Sequence, residues 1–170
     1  MRKLAILAGL IFLISLPAKA QEPEHHTTFQ VFGGYSLFRQ KLPFSYNLNG
    51  WEVSGTVKPK SWLGITGDFS GHYGTIIATN QHYYVFMAGP EFSIPGKFSP
   101  FAHVLLGGVR NTFGKFNENS FAVALGGGLD WEANRHFSVR VVQADYIRTS
   151  SLVLNNVHHA RISAGIVFRF

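Results

Sequence analysis

The sequence predicts an all-β protein: an eight-stranded antiparallel up-and-down transmembrane β-barrel. That expectation rests on an export leader, a surface too poor in charge for water, and alternating segments joined by alternately long and short connections. The chain has 170 residues, enough for one domain. It is 46% hydrophobic but only 14% charged, with 18 Gly and no Cys. Soluble domains carry about 25% charged residues. This composition excludes a disulfide scaffold, a zinc ribbon and a disordered chain. A bundle of membrane helices would need several runs of roughly 20 apolar residues, and the sequence offers one candidate run.

That run belongs to the leader. Arg2 and Lys3 form a short positive start, and Leu4 to Leu16 are apolar apart from Gly9 and Ser15. Pro17 breaks the run, and Ala18-Lys19-Ala20 has the small-x-small pattern of a signal-peptidase site. A helix of this length rises only about 20 Å, against a bilayer core of roughly 30 Å. The reading is therefore a cleavable signal peptide over residues 1–20 and a barrel domain over residues 21–170. Without Arg2, Lys3 and Lys19 the formal charge falls from +6 to +3, since 15 basic residues become 12 against 9 acidic ones. That is too little to argue for a nucleic-acid partner.

From Thr28 onward the chain reads as short alternating segments divided by turn residues. They are Thr28–Phe38, Trp51–Val57, Trp62–His72, Tyr83–Ser93, Phe101–Arg110, Phe121–Trp131, His136–Ile147 and Ala160–Phe170. The long connections are Arg39–Gly50, Tyr73–His82, Asn111–Ser120 and Arg148–His159. The short ones are Lys58–Ser61, Ile94–Pro100 and Glu132–Arg135. Short turns at one end and long loops at the other are the pattern of bacterial membrane barrels.

Parity within the segments assigns the faces. In the last one Ile162, Ala164, Ile166, Phe168 and Phe170 oppose Arg161, Ser163, Gly165, Val167 and Arg169. In the sixth, Phe121, Val123, Leu125, Leu129 and Trp131 oppose Ala122, Ala124, Gly126, Gly128 and Asp130. In the third, Leu63, Ile65 and Phe69 oppose Gly64, Thr66, Asp68 and Ser70. One face is large and apolar, and the other is small, polar or charged. Eight strands leave an interior that side chains just fill, so the second face suits the lumen and the first suits lipid. Trp62, Phe92, Phe98, Phe101, Trp131, Phe137, Phe168 and Phe170 all fall near the short turns, where an aromatic girdle is expected.

These residues resemble the small eight-stranded outer-membrane barrels, the OmpA-like and OmpX-like group. The resemblance lies in Gly33-Gly34-Tyr35-Ser36, in Gly126 to Asp130, in Arg140 with Asp145-Tyr146, and in the ending Gly165 to Phe170. A terminal Phe170 with Phe168 two residues before it resembles the signal read by the barrel assembly machinery. The resemblance implies insertion into the outer membrane of a diderm bacterium and implies no activity.

The candidate interior charges are Glu52, Asp68, Asp130, Arg140, Asp145, Arg161 and Arg169. Buried charges need partners, so they are expected to pair and plug the lumen, with a gated ion path as the functional alternative. Asp130 and Arg140 are expected diagonally across neighbouring strands near the short turns. Arg140 and Asp145 have opposite parity, so either a β-bulge separates them or Asp145 sits at the rim. The doublets His25-His26, in the tail, and His158-His159, in a loop, are poor chelators because adjacent side chains on a strand diverge. No metal, cofactor or phosphate loop is assigned.

His136 and Ser138 share a strand face in a spacing that resembles outer-membrane lipid A deacylases. Val139 follows the Ser where those enzymes carry Asn. No catalytic residue is therefore assigned. The stretches Lys41 to Tyr46 and Thr75 to Ile77 are expected as recognition loops. The reading is a non-enzymatic outer-membrane barrel serving envelope integrity or surface interaction, with little or no pore. Its expected partners are outer-membrane lipid, lipopolysaccharide and, during biogenesis, the assembly machinery. The alternatives are a soluble secreted lipocalin-like ligand-binding barrel, with the Ile162–Phe170 stripe inside, and an outer-membrane lipid A-modifying enzyme.

Overall fold

Alternating side chains on an antiparallel sheet force each strand to show one face inward and one outward. A sheet that closes on itself also leaves no unpaired edge. The computed structural model, which describes residues 27–41, 46–76, 79–113, 116–150 and 157–170, has this form. The expected leader, His25-His26 and the tips of the long connections lie outside the described residues. The strands are β1 (Thr28–Lys41), β2 (Tyr46–Lys60), β3 (Leu63–Ile76), β4 (Thr79–Ser93), β5 (Phe98–Phe113), β6 (Phe116–Glu132), β7 (Phe137–Ser150) and β8 (Val157–Arg169). Each pairs antiparallel with the next, and β1 pairs with β8 to close the barrel. Among the described residues no helix is long and apolar enough to cross a membrane.

The strands are longer than the sequence segments. They run to between 13 and 17 residues, whereas a tilted membrane crossing needs about 9–11. At least half of each stretch expected as a long loop is strand, and the tips of those stretches lie outside the described residues. Asn and Gly in those stretches carry turn chemistry, yet a neighbour on each side satisfies the backbone groups of the described residues and the ladders continue. His158-His159, expected in a loop, is accordingly part of β8. The fragments Lys41, Tyr46 and Thr75-Ile76 of the expected recognition loops are likewise strand residues.

The short turns are well tied. Ser93 N donates to Trp62 O at 2.9 Å and Ile94 N to Pro100 O at 3.0 Å. Asn134 Oδ1 accepts from the backbone N–H groups of His136 and Phe137. The chain end is paired too: Phe170 N donates to Phe29 O at 2.8 Å.

β7 contains a bulge, the first of the two ways to reconcile the parities of Arg140 and Asp145. Val141 and Val142 both point outward, and the register with β6 and β8 shifts there. Arg140 and Asp145 consequently both face the lumen, and Asp145 is buried rather than at the rim. Where β1 and β8 cross closely, the backbone leaves no room for side chains. A Cβ on Gly165 would collide with Gly33 O and Gly34 Cα, and between β6 and β7 one on Gly126 would collide with the Asp145 carboxylate.

Candidate functional site

Inward parity on six strands gathers the polar side chains into one lumen network. Arg161 of β8 is fully buried. Its Nη1 donates to Asp68 Oδ1 at 2.8 Å and to Ser70 Oγ at 3.0 Å, and its Nη2 donates to Asp68 Oδ2 at 3.0 Å. Its Nε donates to Asp145 Oδ2 at 2.8 Å and lies 3.4 Å from Glu52 Oε2. One guanidinium thus ties β8 to its neighbour β7 and, across the lumen, to β2 and β3. Glu52 accepts from Gln143 Nε2 at 2.8 Å and from the Ser163 hydroxyl. Asp145 also meets His103 Nε2 at 2.8 Å.

Nearer the short turns, Arg140 makes a two-point contact with Asp130 at 2.8 and 3.1 Å and donates to Gln143 Oε1 at 2.7 Å. Asp130 and Arg140 stand directly opposite one another in register, not diagonally, because the bulge lies just beyond them. A second group joins Lys58 Nζ to Glu91 Oε1 at 3.1 Å and to Ser93 Oγ at 2.9 Å. Arg169 is only partly buried and pairs with Glu132 at the short-turn rim. These contacts satisfy most of the charges that burial would otherwise penalise.

The half of the lumen toward the long connections is mainly apolar, with His72, His159 and Thr149 buried among the hydrocarbon. Phe38, Leu48, Tyr83, Val85, Met87, Leu105, Val109, Ala122, Ala124 and Ile147 form one buried cluster. Phe38 packs against the rings of His72, Tyr83 and His159 at centroid distances of 4.8, 4.8 and 5.0 Å.

The outside is apolar between two aromatic bands. Val53, Ile65, Leu106, Leu125, Ile162 and Ile166 stand exposed along the middle. Phe29, Trp62, Phe92, Phe98, Trp131, Phe137, Phe168 and Phe170 ring the short-turn end. Phe101 departs from the expected girdle: it points inward, with Arg140 Cζ 4.1 Å from its ring centroid. Phe98 and Phe101 are three residues apart, so they cannot share a face. The second band, which sequence reasoning did not identify, comprises Tyr35, Trp51, Phe69, Tyr73, Phe86, Phe121 and Tyr146. Also missed were Lys58, Glu91, His103 and Gln143. Glu91 lies on a strand with apolar residues on both faces, and Gln143 reaches the lumen only through the bulge.

This arrangement is the reverse of a water-soluble barrel. The lipocalin-like alternative required the Ile162–Phe170 stripe inside, and Ile162, Ile166, Phe168 and Phe170 are exposed. The His136–Ser138 pair does not assemble. His136 sits exposed in the turn before β7, whereas Ser138 is buried in the lumen. The strand doublet diverges as expected: His159 is buried, and His158 faces outward against Tyr146. Among the described residues no group of three metal-ligating side chains converges.

No family model matches the chain, and no curated protein matches it. Solved structures do. Neisserial surface protein A aligns with a TM-score of 0.70 at 15% identity, over 84% of this chain and 97% of that one. Ail, the attachment invasion locus protein of Yersinia pestis, solved with the heparin analogue sucrose octasulfate, aligns with a TM-score of 0.64 at 20% identity, over 85% and 99%. The outer membrane protein OprG of Pseudomonas aeruginosa gives a TM-score of 0.54 at 12% identity, over 86% and 97%. The chain has the fold of the small eight-stranded outer-membrane barrels, closed, antiparallel and apolar on its outside.

Proposed function

We propose that this chain is an exported outer-membrane barrel of a diderm bacterium that acts without catalysis and through its surface, in envelope integrity or surface interaction. The observation that carries this reading is the inversion of polarity. Ion pairs fill the inside, while an aliphatic belt between two aromatic bands covers the outside. Hydrocarbon is the solvent that fits such an exterior, and aromatic rings settle at the two headgroup levels. The filled lumen, charged in one half and apolar in the other, supports a barrel without a large diffusion pore. Outer-membrane lipid and lipopolysaccharide are its partners in place, and the barrel assembly machinery is its partner during insertion, reading the Phe168–Phe170 ending.

Membrane fractionation tests the reading. The protein is expected to stay with outer membranes through a carbonate wash and to fold only in detergent or lipid. Recovery as a folded soluble monomer without detergent would overturn it. Ile166→Arg, placing a charge on the belt, is expected to lower stability in vesicles by about 2–4 kcal/mol near the midplane.

A further inference from the structure

Backbone bonds tie the short-turn rim into one continuous edge. Ser93 N of the second turn donates to Trp62 O beside the first, and Glu132 N at the end of β6 donates to Lys97 O. Arg169 N donates to His136 O at 2.8 Å, and Phe29 and Phe170 bond each other through both of their backbone N–H groups. Each turn is thus held at a fixed height against its neighbours. On this edge every turn presents one exposed cation: Lys60 at the end of β2, then Lys97, then Arg135. Each cation has an exposed aromatic ring within two residues, on Trp62, Phe98 and Phe137 respectively.

The acidic residues of the chain are committed elsewhere. It has nine. Glu52, Asp68 and Asp145 meet Arg161 in the lumen, where Asp130 meets Arg140 and Glu91 meets Lys58. Glu132, at the rim itself, is held by Arg169. Glu118 lies at the opposite end of β6, and Glu22 and Glu24 lie outside the described residues. Among the described residues no acidic side chain pairs with Lys60, Lys97 or Arg135. Lys60 shows where such a charge sits: its Nζ is 5.7 Å from the Trp62 ring centroid, over an indole on the outer wall.

We propose that Lys60, Lys97 and Arg135 form a collar that binds the headgroups of anionic phospholipids in the periplasmic leaflet. The collar requires the membrane placement proposed above, with the short turns on the periplasmic side. Three features define the ligand. Indole and phenyl rings settle at the headgroup level, so the cations beside them stand at the height of the lipid phosphates. The apolar wall below them, at Phe92, Trp131 and Phe168, suits acyl chains. A zwitterionic headgroup answers its phosphate with its own ammonium, whereas an anionic one leaves that charge to the protein. An acidic phospholipid meets all three conditions at once.

The test reads lipid at the rim itself. With Trp51→Phe and Trp131→Phe, Trp62 is the sole tryptophan of a chain that has three. The barrel is refolded into vesicles of phosphatidylcholine and phosphatidylglycerol in equal amounts, with one lipid or the other brominated high on its acyl chains. Brominated phosphatidylglycerol is expected to quench Trp62 as though enriched at least about fivefold over phosphatidylcholine, the scale of one basic group at an anionic surface. Salt at about 1 M, where the screening length falls to about 3 Å, should remove the preference. Lys60→Gln with Lys97→Gln and Arg135→Gln should abolish it too, whereas Lys60→Arg with Lys97→Arg and Arg135→Lys should keep it. A barrel with Trp62→Phe and Trp131→Phe reports instead from Trp51, further up the wall, where the glutamine substitutions should change nothing. Equal quenching of Trp62 by the two lipids, a preference that survives the glutamine variant, or an equal change at Trp51 overturns the collar. Absence of quenching by either lipid would instead overturn the membrane placement, so the two readings fail separately.

Discussion

Between Asp130 and Ser70 the lumen is filled by charged groups that bond across it. From Phe38 to Val109, nearer the long connections, it is filled mainly by hydrocarbon, with the His72 and His159 rings packed against Phe38. The two halves occupy the same barrel and solve the same packing problem, but they fix the structure differently. Arg161 and Asp68 lie 93 residues apart in sequence and lock β8 to β3 at one relative height. Gln143 and Glu52, 91 residues apart, do the same for β7 and β2. Directional bonds of this kind tolerate no slip, because a one-residue shift would send every partner to the lipid side. The apolar half seals the lumen, and its contacts can be exchanged for others of similar volume. Charge therefore specifies register, and hydrocarbon closes the passage.

The largest effect should come from the charged half. Arg161→Met leaves Asp68, Asp145 and Glu52 buried without their common partner, and urea unfolding in vesicles should show a loss of about 3–5 kcal/mol. Adding Asp68→Asn and Asp145→Asn to that variant should recover most of the loss, because the penalty belongs to the stranded charges. In the apolar half, Leu105→Ala should cost about 2–4 kcal/mol by the same assay, the range for a buried cavity. No partner substitution of the polar kind should rescue it.

Crowding separates inside from outside. Gly126→Ala pushes a methyl into the Asp145 carboxylate and should cost about 1–3 kcal/mol. Phe101→Leu removes the ring beneath Arg140 while keeping an apolar filler, and should cost about 1 kcal/mol. Smallest of all is Gly67→Ala on the exterior, where a Cβ would meet nothing within 4 Å. Its unfolding midpoint should stay within about 0.5 kcal/mol of the parent.

The faces of β3, β6 and β8 were legible because each alternates cleanly between large apolar and small or polar residues. That alternation also named Asp68, Asp130 and Arg161 as interior charges. The conflict between Arg140 and Asp145 pointed to a bulge, which the structure places at Val141-Val142. Where both faces are apolar the pattern fails. On β4, Val85 and Met87 face inward while Phe86 faces out, so Glu91 gave no sign of its side. Lys58 was read as the start of the short connection Lys58–Ser61, yet β2 continues to Lys60. The second aromatic band escaped notice for a related reason. Its members are scattered over six strands and converge only when the register aligns them. Strand ends were the least legible, since turn-type residues extend a ladder whenever both neighbours are present to pair with them.

Steady conductance of the refolded barrel across a planar bilayer tests the sealed, two-part lumen most directly. The account predicts no stable open level for the parent protein. A lasting ohmic channel in the parent would contradict it, because ions would then be passing both the Arg161 network and the apolar cluster beyond it.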